Sequence, residues 1–360
     1  MYPPLPGMRS LGFSSITEQV ATHLREELQR GRWKDAMPGR NQLVKELNVS
    51  AGTIELAFQI LEKEGLLAST GTGRRRRIVT SAIGSSAPRL QVALLMTDYA
   101  DRLPNLLHHQ INQAGHRSFF TQKTLLNLGM NVERVARFVR EVRADAWVVA
   151  SGSREVLEWF ASQEVPAIAM FGNRHGLPIA SAGPDKVPAF TELTRRLINL
   201  GHRRISMIER RQIRLPQPAP VVCAFLDELE AAGIPGNSFN LPDWDESGSG
   251  FEHMLDSLFR ATPPTALILC EPFVYHAAHH YLARRGLRVP EDVSLVCTDG
   301  HHTFTWCRPT IAHIRWDYRP VLRRVVRWAD HIARGKDDRR QTHAKAEYVD
   351  GETVGPATKR

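Results

Sequence analysis

The chain predicts an α/β protein: a small, mostly helical head followed by a two-lobed body with parallel sheets. Three observations predict it. From Leu90 onward, short apolar runs alternate with segments whose apolar residues recur at helical spacing, as in a parallel sheet covered on both faces. The alternation passes through two successive sets, which implies two similar lobes. Before it, the first eighty residues follow another pattern: helical segments joined by a short turn, then two short runs about a Gly-rich turn.

In chain order, residues 1–14 hold Pro3, Pro4, Pro6 and Gly7 and read as a flexible arm. The head spans 15–80. Ile16, Val20, Leu24 and Leu28 lie at helical spacing. A short segment, Asn41 to Leu47, precedes Asn48-Val49-Ser50 and a third segment, Ala51 to Lys63. Ser50 is a suitable N-cap, because its hydroxyl can accept from an orphan N–H of the first turn. Ile54, Phe58 and Leu61 then give that helix one apolar face. Two helices with so short a join have the spacing of a helix-turn-helix, whose second helix presents its N-terminal residues to a major groove. Gly65 to Ala68, Gly71-Thr72-Gly73 and Arg74 to Val79 read as strand, tight turn, strand: a hairpin wing with four arginines. The expected DNA contacts are Arg40, Asn41, Ser50, Ala51, Gly52, Thr53, Thr72, Arg74, Arg75, Arg76 and Arg77. Residues 81–89 are small and breaker-rich and read as a linker.

In the body, strands are predicted at Gln91–Met96, Ser118–Gln122, Ala146–Ala150 and Ala167–Phe171, with helices at Leu103–Ala114, Val132–Val142 and Glu155–Ser162. The second set places helices at Val187–Leu200, Val221–Ala232, Phe251–Phe259 and Tyr275–Arg285. Its strands are Ile205–Glu209, Ala266–Cys270 and Val293–Thr298, and Tyr318–Ala333 is a long last helix.

Net charge is +9, and residues 1–90 carry 13 Lys/Arg against 8 Asp/Glu. A basic head on a near-neutral body is the electrostatic footprint of a polyanion-binding domain. Cys223, Cys270, Cys297 and Cys307 show no CxxC spacing and read as free thiols in a reducing compartment. No apolar run reaches the length of a membrane span, and Met1 to Gly12 lacks the features of a signal peptide; cytoplasm is the expected compartment.

The segments "SSITEQVATHLREELQRGRW", "MPGRNQLVKELNVSAGTIELAFQILEKEGLLAS" and "GTGRRRRIV" resemble the winged helix-turn-helix of GntR-type bacterial regulators. The chain departs from that pattern at Gly39-Arg40-Asn41, where the family has Ser, an acid and a base. It also carries Ala51 and Glu55 where the family often has arginines. The body segments "LINLGHRRISMI", "FLDELEAAGI", "PTALILC", "RRGLRVPEDVSLVCTDG" and "RPTIAHIRWD" resemble the effector domain of the lactose/galactose repressor family. That resemblance implies a periplasmic-binding-protein-like fold over 90–360, with two lobes crossed three times. The crossings are expected near Ala180–Lys186, Gly300–Trp306 and Arg315–Tyr318. The N-lobe is then 90–183 plus 301–317, and the C-lobe 184–300 plus 318–360.

Ligands of parallel α/β sheets sit off the carboxyl ends of strands. Asp98 and Tyr99, Asn173, Glu271 and Asp299 lie at such ends, where carboxylates and amides can bind sugar hydroxyls. The resemblance also matches Asp185 and Asp299 to pocket aspartates. Trp306 and Trp316 lie near expected crossings, where either could stack on a ligand or pack between lobes. The family's ligand-clamping arginine is replaced by Val221, and its usual Asn-Asp by Glu271-Pro272. His276, His279 and His280 share one helix face, but no HExxH or second cluster accompanies them, and a structural role is favoured over a metal site.

The resulting expectation is a non-enzymatic, sequence-specific DNA-binding regulator without cofactor, a repressor acting as a homodimer. Its partners are operator DNA and a small-molecule effector, a sugar or derivative. The alternative is a GntR-headed regulator fused to a pyridoxal-phosphate aminotransferase-like body, against which stands the want of a recognisable cofactor lysine.

Overall fold

The computed structural model describes residues 16–29, 32–33, 35–69, 75–79, 89–97 and 102–358. The chain divides into two compact units, a head up to residue 87 and a body from residue 88.

The head contains α1 (Ile16–Gln29), α2 (Arg40–Leu47), α3 (Ala51–Lys63), β1 (Leu67–Ala68) and β2 (Arg77–Ile78). Asn48 ends α2 in the left-handed region, at φ 51°, which an Asn tolerates. Ser50 starts α3, its Oγ accepting from the Thr53 N–H at 3.1 Å. Val20, Leu24 and Leu28 of α1 bury against Leu43, Ile54, Phe58 and Leu61, while Ile16, at the helix start, stays exposed. β1 and β2 pair antiparallel, Leu67 opposite Ile78. The segment around Ala36 lines the other side of β2, with Met37 N–H donating to Arg76 O at 2.9 Å and Ile78 N–H to Asp35 O at 3.0 Å.

The body's first half runs β3 (Gln91–Leu95), α4 (Arg102–Gln113), β4 (Arg117–Phe120), α5 (Val132–Glu141), β5 (Ala146–Ala150), α6 (Arg154–Ser162), β6 (Ala167–Met170) and β7 (Ala180–Asp185). The second half continues with α7 (Val187–Asn199), β8 (Ile205–Ile208), α8 (Arg211–Arg214), α9 (Pro220–Ala231), α10 (Gly248–Ala261), β9 (Ala266–Leu269), α11 (Pro272–Arg284), β10 (Ser294–Cys297) and β11 (Ala312–Trp316). A 3-10 turn at His302–Trp306 precedes β11, and α12 (Arg319–Ala333) and β12 (Gln341–Val349) close the order.

The strands follow the order β4-β3-β5-β6-β7-β12-β11-β10-β9-β8. All pair parallel except β11 with β12. Parallel strands buried on both faces need apolar runs, and β5, β8, β9 and β10 are buried throughout. Helices cover the faces. Val135, Phe138, Trp147 and Phe160 centre the N-lobe core. Phe190, Leu193, Met207 and Phe225 fill one face of the C-lobe sheet, and Leu255, Leu267, Tyr275 and Leu295 the other.

β12 joins the lobes. Its residues 341–345 pair with β7, and 346–349 with β11. The crossings therefore fall at Lys186, at Asp317–Tyr318, and within β12 at Lys345–Ala346. The expected crossing at Gly300–Trp306 is corrected: that segment is a 3-10 turn whose Phe304 packs in the C-lobe core with Tyr275 and Ile311. The lobe assignment of the last sixty residues changes with it. β11 lies in the C-lobe sheet, and α12 packs on β5, β7 and α4 of the N-lobe, with His116 Nε2 3.1 Å from Asp330 Oδ1. No described helix is long and apolar enough to cross a membrane.

Candidate functional site

The head presents a helix start and an arginine strand. Arg40 and Asn41 are exposed at the start of α2, and Ser50 and Gly52 are exposed at the start of α3, with Ala51 and Thr53 half-buried. Arg75 and Arg77 point outward from the second strand. Arg76 does not share their surroundings. Its side chain is 18% exposed, its Nε donates to Glu62 Oε1 at 2.8 Å, and its Nη2 donates to Glu55. The guanidinium also lies 4.5 Å from the Phe58 ring centroid. Burial alone would pull the Arg76 pKa down, but its bonds to Glu62 and Glu55 carry it up. The expected DNA contact at Arg76 is therefore corrected: the residue clamps the hairpin to α3. The cause is strand alternation, which puts Arg76 on the buried face with Ile78 and leaves Arg75 and Arg77 on the other. Glu55, a departure from the regulator pattern, is explained as half of that clamp. Thr72 and Arg74 lie outside the described residues.

The body carries a cleft of about 1730 Å³ between its lobes, at the carboxyl ends of the strands. Its walls are largely apolar, including Leu107, Phe171, Phe190 and Phe304. Two ion pairs cross its floor. Lys186 Nζ lies 2.8 Å from Asp299 Oδ2, and Trp316 Nε1 donates to Asp299 Oδ1 at 2.7 Å. Arg210 donates to both oxygens of Glu271, at 3.1 and 2.9 Å, and to Glu246 Oε2 at 2.8 Å. Burial would lower the Arg210 pKa, but Glu271 and Glu246 more than offset it, and it is raised.

Glu209, between β8 and Arg210, is buried. Burial pushes its carboxyl up to about 7, against the hydrogen bond from the Arg210 N–H and the charge of Lys186, with Glu271 and Asp299 adding to the rise. On the N-lobe wall, burial lowers the Arg174 guanidinium to about 10, opposed by the charge of Asp185.

Of the residues singled out for ligand contact, Asp185, Glu271 and Asp299 line the cleft. Asp185 Oδ1 accepts from the Val187 N–H at 3.2 Å, capping the turn at the first crossing. Glu271 and Asp299 are already bonded to cations, as above. Asn173 is 3% exposed and is absent from the cleft lining; its Nδ2 donates across to Gln217 O of the C-lobe at 2.8 Å. Its expected ligand role is corrected to a link between lobes, joined there by an edge-on contact of Phe171 with Trp316 at 5.6 Å. Trp306 is also corrected: it is 86% exposed at the end of the 3-10 turn and does not line the cleft, where Trp316 does. Asp98 and Tyr99 lie outside the described residues. His276 lines the cleft and packs edge-on against Tyr275 and Phe304. Lys186, Arg174, Glu209 and Arg210 were not marked by residue type; their strand-end positions were the available signal.

A profile of the periplasmic binding protein-like domain matches residues 194–354. The chain is 29% identical over 126 residues to the HTH-type transcriptional repressor PurR of Pasteurella multocida, covering 34% of this chain and 36% of that protein. It is 22% identical over 216 residues to the HTH-type transcriptional regulator DegA of Bacillus subtilis, covering 56% and 61%. The chain thus spans less than two thirds of either relative. Among solved structures, the transcriptional regulator CelR–cellobiose complex superposes with a TM-score of 0.60 at 18% identity, covering 88% of this chain and 100% of that one. The transcription regulator GntR from Chromobacterium violaceum gives 0.59 at 16%, covering 73% and 99%. A sugar-binding LacI-family regulator from Escherichia coli complexed with phosphate gives 0.57 at 15%, covering 74% and 98%. The body has the two-lobed periplasmic-binding-protein-like α/β fold.

Proposed function

We propose that this protein is a DNA-binding transcriptional regulator, a repressor, controlled by a sugar or sugar derivative bound in the cleft. The carrying observation is the union in one chain of a helix-turn-helix with an exposed, Ser50-capped helix start and a two-lobed body with a cleft at its strand ends. The relatives are regulators rather than enzymes, which supports the effector-domain reading of the lactose/galactose repressor kind. Antiparallel pairing of β1 with β2, clamped through Arg76, supports a winged head of GntR type. An aminotransferase-like body is not favoured, since the similarity runs to regulators. Arg40 and Asn41 at the start of α2, with Ser50, Gly52 and Thr53 at the start of α3, would meet bases and phosphates, and Arg75 and Arg77 would meet phosphates. The active form is a homodimer on a two-fold operator.

Lobe closure supplies the control. A ligand bridging both walls binds the closed form better than the open one and shifts the population toward it. The three crossings transmit that shift, and DNA affinity changes by the same coupling energy. Selection from a randomised duplex pool with the full chain tests this reading. An enriched inverted repeat is the expected product; a pool that stays random after repeated rounds rejects it.

A further inference from the structure

We infer that the effector is an anion, an acidic sugar whose carboxylate or phosphate seats on Arg174. The inference rests on the proposed reading of the cleft as an effector site and names the ligand's chemistry. It comes from the charges along the cleft. Lys186 is bonded to Asp299, Arg210 to Glu271 and Glu246, and Arg315 Nη2 to Glu347 Oε1 at 2.6 Å. Two carboxylates at the cleft's strand ends, Asp299 and Glu271, are thus already bonded to the protein's own cations.

Arg174 differs. It lines the cleft, yet among the described residues no hydrogen bond to its guanidinium is found, and its buried Nε has no partner. Asp185 acts on it only through its charge and spends Oδ1 on the Val187 N–H. A half-buried guanidinium without a carboxylate or carbonyl loses hydration with no return. An incoming oxyanion would restore the bonds and accept two parallel N–H donors.

The seat is built. Arg174 lies over Gly183 of β7, where a Cβ would stand 2.7 Å from Nη2 and 3.0 Å from Cζ. Only glycine leaves the guanidinium that place. His343, opposite Gly183 on β12, flanks it, and its imidazole is lowered by burial and by the Arg174 charge.

Calorimetric titration of the full chain with inorganic phosphate, D-gluconate, D-glucose 6-phosphate and D-glucose tests this at matched ionic strength. Phosphate has no stereochemistry to mismatch, so it reads the anion seat alone. Saturable binding of phosphate is expected, with gluconate or glucose 6-phosphate tighter and D-glucose at least tenfold weaker. Preference for gluconate identifies a carboxylate ligand, and preference for glucose 6-phosphate a phosphate. Arg174→Gln should weaken anion binding tenfold or more. Gly183→Ala, which displaces the guanidinium without removing it, should do likewise while the circular dichroism melt is retained. Binding of D-glucose with phosphate silent overturns the anion seat and leaves the effector cleft standing. Silence toward all four overturns the anion seat, and the DNA selection above then decides the regulator reading separately. Anion binding unchanged in Arg174→Gln overturns the assignment to Arg174.

Discussion

The Lys186 ammonium, on the first crossing between lobes, lies 2.8 Å from the Asp299 carboxylate at the end of β10. The pair ties a hinge to the strand end where a ligand hydroxyl was expected. With Trp316 Nε1 on the other oxygen, Asp299 has both oxygens engaged inside the protein. Its role is therefore to fix the hinge.

Asp299→Ala should strand the Lys186 charge and lose the Trp316 bond. A charge-assisted hydrogen bond of this half-buried kind is worth about 1–3 kcal/mol, so the body should melt earlier by that amount. Lys186→Met with Asp299→Leu should recover most of the loss, because an apolar pair leaves no stranded charge. Denaturant unfolding followed by tryptophan fluorescence measures both.

Glu209 gives a pH dependence. Its carboxyl titrates near 4.5 when unfolded and near 7 when folded. Between those values the folded chain holds a proton that the unfolded chain has released. Stability therefore falls as pH rises from about 4.5 to about 7 and is flat above, a loss of up to about 3 kcal/mol. Glu209→Gln should abolish that slope and exceed the parent in stability at pH 8. Equal urea midpoints for parent and variant at pH 8 would contradict it.

The arginine strand separates into two classes. Arg76→Met breaks bonds to Glu55 and Glu62 and should destabilise the head by about 2–4 kcal/mol. Arg77→Ala should leave the melt of the head unchanged, and the effect of Arg75→Ala and Arg77→Ala falls on DNA binding. Each should flatten the salt dependence of DNA affinity by about 0.9 in log–log slope. Equal effects of all three on melting would place Arg76 with its neighbours.

Arg324 and Asp338, both buried, lie 2.9 Å apart and fasten α12 to the start of β12. Hydrogen bonding from Arg340, with His331 and Arg324 adding, holds the Asp338 carboxylate below its usual range. Because its folded pKa lies below the unfolded one, its contribution is present above the unfolded value and is lost as pH falls below it. Asp338→Asn should therefore melt earlier at pH 7, and the difference should shrink toward pH 3.

Much of the body was legible because parallel strands buried on both faces must be apolar runs, as in β5 and β9. β12 was not legible: within Gln341–Val349 only Ala344 and Ala346 are buried apolar residues, and neighbouring strands supply its cover. Missing it misplaced the third crossing. The strand-end rule brought Asp185, Glu271 and Asp299 to the cleft, but not their partners. Lys186 stands 113 residues from Asp299, and Arg210 stands 61 from Glu271. No local pattern encodes such pairs. The clamp at Arg76 was available, since a period of two from Ile78 turns it inward.

The most direct test is fluorescence anisotropy of the full chain on the selected duplex, over a range of salt, with and without D-gluconate. Binding that weakens steeply with salt, and shifts at least fivefold with the ligand in the parent but not in Arg174→Gln, is the predicted result. Binding that is indifferent to salt, or a duplex bound no better than scrambled DNA, would contradict the regulator assignment at its root.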